Sequence, residues 1–121
     1  MTASSLDPVV DTDLVRIEVT GDDSTACLAA TGEVDSSSAP ALRARLDEVL
    51  DRGVRDLTID LTGVSFLDSA GLCVLAATHR RAARADVRLR VLASSRAVLR
   101  PMQITGLYDL LDVATPESGA A

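Results

Sequence analysis

The sequence predicts a single α/β domain: a mixed, mostly parallel sheet of four to five strands, led by an antiparallel hairpin, with helices packed on it. Three observations carry this. After two consecutive strand-like segments, period-two and helix-period segments alternate, the pattern of parallel strands joined by crossover helices. Apolar residues make up 47% of the chain, yet Phe66 and Tyr108 are its only aromatics, so the core is built from Leu, Val, Ile and Ala. At 121 residues the chain suits one domain whose core needs no metal or disulfide.

The elements follow in order. Residues 1–13 form a polar lead-in, expected to be flexible. Residues 14–20 alternate Leu14, Arg16, Glu18 against Val15, Ile17, Val19, a half-buried strand. Gly21-Asp22-Asp23-Ser24 has turn chemistry, and residues 25–31 return as a second strand, closing an antiparallel hairpin at a sheet edge. Gly32-Glu33-Val34-Asp35-Ser36-Ser37 reads as a turn. Ser38-Ala39-Pro40 starts a helix, with serine as its cap and proline where the first turn tolerates it. Leu42, Leu46, Val49 and Leu50 give that helix an apolar stripe, Arg43, Arg45, Asp47 and Glu48 face water, and Gly53 closes it. Residues 55–61 are a strand, followed by a short loop. Asp68-Ser69 then opens a helix over 69–83, whose basic end (Arg80, Arg81, Arg84) suits the negative end of the helix dipole. Residues 87–93 are a strand. Ser94 or Ser95 caps a third helix to about Ile104, kinked or turned at Pro101 and stopped by Gly106. Residues 107–113 read as a last short strand and 115–121 as a flexible tail, leaving 14–114 as the domain.

Composition excludes several functions. A net charge of −6 and the scarcity of aromatics argue against nucleic acid as a partner. All twelve basic residues are Arg, so Schiff-base lysine chemistry and a Walker-type phosphate lysine are ruled out. His79 is the only histidine and there is no CxxC spacing, so neither a metal site nor a cofactor is expected. Cys27 and Cys73 lie far apart in sequence and read as buried, reduced thiols of a cytoplasmic protein. No apolar run approaches the roughly 20 residues a membrane span needs, and the acidic start is not a secretion signal.

Function therefore concentrates on Asp68-Ser69-Ala70-Gly71-Leu72. Sites in parallel sheets lie beyond the carboxyl ends of the strands. Ser69 follows a strand there, and the Asp35-Ser36-Ser37 turn leaves another on the same edge. Three roles compete for Ser69. Asp68 or Ser69 can be a plain helix cap, worth about 1 kcal/mol. A nucleophile needs a base within hydrogen-bond reach, but ten residues at a 1.5 Å rise put His79 about 15 Å down the helix. A G-x-S-x-G elbow is absent as well. A phosphate acceptor suits the physics best, because a helix N-terminus welcomes the added charge while a docked partner does not. A phospho-aspartate receiver is set aside for want of a lysine.

Gly32-Glu33-Val34-Asp35, Ala39-Pro40-x-Leu42-Arg43 and Leu57-x-Ile59-Asp60-Leu61-x-Gly63-Val64-x-Phe66-Leu67-Asp68-Ser69-x-Gly71-Leu72 resemble the STAS domain, and more narrowly the bacterial anti-sigma factor antagonists. Ile104-Thr105-Gly106-Leu107 resembles that family's end signature. The resemblance implies a STAS-like fold and a protein without chemistry of its own. It implies that Ser69 is phosphorylated by an anti-sigma factor that is also a serine kinase, that the unmodified form binds this kinase and frees a sigma factor, and that a serine phosphatase reverses the mark. It places Asp35, Ser36, Ser37, Asp68, Ser69, Ala70, Gly71 and Leu72 on the contact surface. Ala70, where relatives often carry a second hydroxyl, leaves one acceptor. The competing expectation is a STAS scaffold, or a module sensing a nucleotide or lipid, without a phosphoserine switch.

Overall fold

A computed structural model describes Val10, Asp11 and residues 15–115. Its strands are β1 (Val10–Asp11), β2 (Val15–Gly21), β3 (Thr25–Val34), β4 (Asp56–Leu67), β5 (Arg88–Leu92) and β6 (Val113–Ala114). Its helices are α1 (Ala39–Asp51), α2 (Ser69–Arg84), α3 (Arg96–Thr105) and the single turn α4 (Leu107–Leu110). The strands form one sheet in sequence order. The pairs β1–β2 and β2–β3 are antiparallel, whereas β3–β4, β4–β5 and β5–β6 are parallel.

The expected hairpin is β2–β3. Its turn is held by Asp22, whose Oδ1 accepts from the Ser24 and Thr25 amides, both at 2.9 Å. Gly21 sits at φ +127°, and a Cβ there would lie 2.1 Å from the Thr25 carbonyl oxygen, so only glycine fits. The hairpin is not the outermost element, because Val10 and Asp11, within the expected lead-in, add β1 against Ile17 and Arg16. The rest of that lead-in and the tail beyond Thr115 lie outside the described residues.

Alternation along the strands puts Val15, Ile17, Leu28, Leu57, Ile59, Leu61 and Val91 into one core with Leu42, Leu46 and Val49 of α1 and Leu75 of α2. α1 and α2 also pack on each other. At that contact Arg81 of α2 reaches Asp47 Oδ1 of α1 at 3.1 Å and also binds Asp51. Arg45, expected to face water, is only 5% exposed. Its Nη1 meets Glu48 Oε1 at 2.5 Å, so the buried guanidinium keeps a carboxylate partner.

Three further expectations need correction. The segments read as a turn after residue 31 and a loop after residue 61 are strand: β3 runs to Val34 and β4 to Leu67. Residues 107–110 are helical, and the last strand is only Val113–Ala114, because a short apolar run does not reveal its period. α3 continues through Pro101 to Thr105, whose Oγ1 donates to the Pro101 carbonyl at 2.8 Å. Ser95 caps it, accepting from the Ala97 amide, and Gly106 ends it.

Candidate functional site

The site is built where β3 and β4 end side by side. Val34 pairs with Leu67 in parallel register, and the Asp68 amide donates to the Val34 carbonyl at 3.2 Å. The residues that follow, Asp35 and Asp68, therefore leave neighbouring strands, about 4.8 Å apart, in step. One feeds α1 and the other α2. The sequence placed both turns on this rim, and the structure brings them together there.

Each turn is organised by its aspartate. Asp35 Oδ1 accepts from the Ser37 hydroxyl at 2.7 Å, the Ser37 amide at 2.9 Å and the Ser38 amide at 3.2 Å. Those donors, the Ser37 hydroxyl first, hold the Asp35 carboxyl below its ordinary value. Ser38 was expected to cap α1 with its side chain and does not. Its hydroxyl donates to the Glu33 carbonyl at 2.7 Å and accepts from the Asp35 amide at 3.0 Å, locking the turn instead. Ser36 and Ser37 are exposed.

On the other turn Asp68 caps α2: its Oδ1 accepts from the Ala70 amide at 2.9 Å. Ser69 is thereby relieved of capping. It is the first residue of the helix, exposed, and its hydroxyl makes no hydrogen bond among the described residues. Ala70 and Leu72 are half-buried, packed against the core. Gly71 departs from its expected place on the contact surface. It is buried, and a Cβ there would lie 2.3 Å from Leu67 Cδ1 and 2.8 Å from Val34 Cγ1. Its missing side chain lets the first turn of α2 settle onto the strand ends, which fixes the height of Ser69 above the sheet.

The strands reach this rim irregularly. Between the pairs Ala29↔Asp60 and Thr31↔Gly63, β3 advances two residues and β4 three. Between Gly32↔Val64 and Glu33↔Phe66, β3 advances one and β4 two. Each slip is a bulge adding one residue to β4. Gly32, at φ +112°, supplies the backbone angle at the second, where the unpaired Ser65 donates its hydroxyl to the Gly32 carbonyl at 3.3 Å. Sequence reasoning missed this because a bulge erases the period-two signal it relies on.

His79 is half-buried on α2. Cys27 is half-buried and Cys73 exposed, rather than both buried. Burial, then the charge of Asp60, push the Cys27 thiol up. Among the described residues no three or more His, Cys, Asp and Glu side chains gather as a metal site, and no helix is long and apolar enough to cross a membrane.

Comparison with known proteins matches residues 16–120 to the STAS domain. The anti-sigma-B factor antagonist of Bacillus subtilis is 31% identical over 105 residues, 87% of this chain and 95% of its own. The crystal structure of an anti-sigma factor antagonist from Mycobacterium paratuberculosis superposes with a TM-score of 0.78 at 32% identity, covering 85% of this chain and 87% of that one. The antagonist SpoIIAA, 22% identical, shares the fold in its unphosphorylated form (TM-score 0.71, 86% of this chain and 92% of that one) and in its phosphorylated form (0.65, 86% and 96%). A family match across that span, with a relative this similar over nearly its whole length, settles the assignment: the chain belongs to the STAS domain family.

Proposed function

We propose that this protein is an anti-sigma factor antagonist working by partner switching. Unmodified, it binds an anti-sigma factor that is also a serine kinase, in the cytoplasm, and so releases a sigma factor. Phosphorylation of Ser69 ends that binding, and a serine phosphatase restores it. The protein acts by binding and performs no chemistry of its own.

The observation that carries this reading is the Ser69 hydroxyl itself, exposed at the first position of a 16-residue helix whose capping role Asp68 has already taken. A phosphate there adds roughly −1.5 to −2 charges and meets the amides and positive dipole end of α2, so the fold tolerates it. A partner seated on the rim does not, because the new charge joins Asp68 and Asp35. The names of the relatives support the reading, as does the occurrence of the fold in a phosphorylated antagonist. Asp35, Ser36, Ser37, Asp68, Ser69 and the exposed edges of Ala70 and Leu72 form the contact; Gly71 supports it from beneath.

The test pairs mass spectrometry with binding. Incubation with the kinase and ATP is expected to place one phosphate on Ser69 and to abolish co-elution with the kinase. Ser69→Ala is expected to bind and stay unmodified, and Ser69→Asp to bind more weakly. Phosphate on another residue, or equal binding by both variants, would overturn the switch.

A further inference from the structure

We infer that Phe66 is the apolar anchor of the partner interface, and that the surface it enters is an apolar hollow rimmed by cationic side chains. The inference deepens the reading above and rests on it.

Phe66 is one of two aromatic residues in the chain, yet it stands 47% exposed two positions before Asp68. Strand geometry alone would bury it. Side chains alternate along a strand, and Val64, two residues earlier, is 1% exposed in the core. The bulge at Ser65 breaks the alternation. Phe66 turns outward opposite Glu33, and Leu67, 4% exposed, takes the inward place. A bulge beside a site re-aims a side chain, and here it removes the only phenylalanine from the core and presents it on the rim.

The surroundings specify the occupant. Glu33 is exposed across from Phe66, with Asp35 and Asp68 just beyond. Neither rim segment, residues 31–42 nor 56–72, contains a basic residue. An aromatic projecting from an acidic collar fits an apolar hollow ringed by Arg or Lys. Aromatic anchors of this kind carry a disproportionate share of interface energy while charged rims steer association. Ile104, also exposed at 75%, lies on α3, which carries two arginines and no acid, and so lacks this collar.

Affinity for the kinase, measured by titration calorimetry at low and high salt, tests this. Phe66→Ala should weaken binding about 30-fold or more, Phe66→Leu by less, and Ile104→Ala by under about threefold. Parent binding should weaken as salt rises, since the rim is charged. All variants should melt with the parent, and Phe66→Leu guards against a folding defect in the alanine form. If Phe66→Ala binds within about threefold of the parent while Ser69→Ala also binds, the anchor is wrong and the switch stands. Salt-independent binding would remove the cationic rim. If neither parent nor Ser69→Ala binds the kinase, the switch and the anchor fall together.

Discussion

The two halves of β4 follow different rules. From Asp56 to Asp60 the strand is hydrogen-bonded on both sides, to β3 and β5, in unbroken register, and its apolar residues point one way. From Leu61 to Leu67 β5 is gone, the pairing with β3 slips twice, and the strand ends at Asp68 and Ser69. The regular half builds stability. The irregular half spends regularity on aiming Phe66, Asp68 and Ser69. The same strand thus carries a core that depends on pattern and a site that depends on breaking it.

Substitutions in the two halves should separate these roles. The largest loss is expected in the regular half: Ile59, 0% exposed, changed to Ala should cost about 2–5 kcal/mol in urea unfolding. Kinase binding by the fraction still folded should not change. Gly63→Ala, in the bulged half, should stay within about 1 kcal/mol of the parent. The alanine relieves the backbone freedom of a strand glycine, and its Cβ, 3.1 Å from Thr31 Cγ2, presses on an exposed side chain that has room to move. A loss at Gly63 as large as that at Ile59 would show the bulged half to be as rigid as the core.

The smallest effect concerns acidity at the rim. Folding lowers the Asp35 carboxyl below its usual value of 3.8, so at low pH the unfolded chain binds the extra proton. The stabilisation from this carboxylate is therefore present above about pH 4 and lost as pH falls through the lowered value. Amide resonances of Ser37 and Ser38 should hold steady from pH 7 to about 4 and shift only below it. A titration midpoint at or above the ordinary 3.8 would mean that Asp35 is not held by its turn.

Much of this was legible in the sequence, for local reasons. The hairpin, α1, α2 and the stop at Gly106 were signalled by strict periodicity, turn chemistry and caps. The rim location of Asp35 and Ser69 followed from the strand-to-helix order alone. What stayed hidden depends on contacts between distant residues. The bulges of β4 arise from pairing with β3, so Thr62 to Leu67 read as a loop. The burial of Gly71 requires Val34 and Leu67 beneath it, and the outward turn of Phe66 requires Ser65 to fall out of register.

Cys73 lies four residues after Ser69 on α2, one turn on and on the same side of the helix, with Cβ atoms about 6 Å apart. Cys73 is exposed, whereas Cys27 is half-buried with its thiol pushed up, so Cys27 reacts more slowly with alkylating reagents. The protein therefore comes with its own labelling position. A small fluorophore attached through Cys73 stands beside the phosphate acceptor, where both docking and modification change its surroundings, and no residue has to be engineered to follow them in real time.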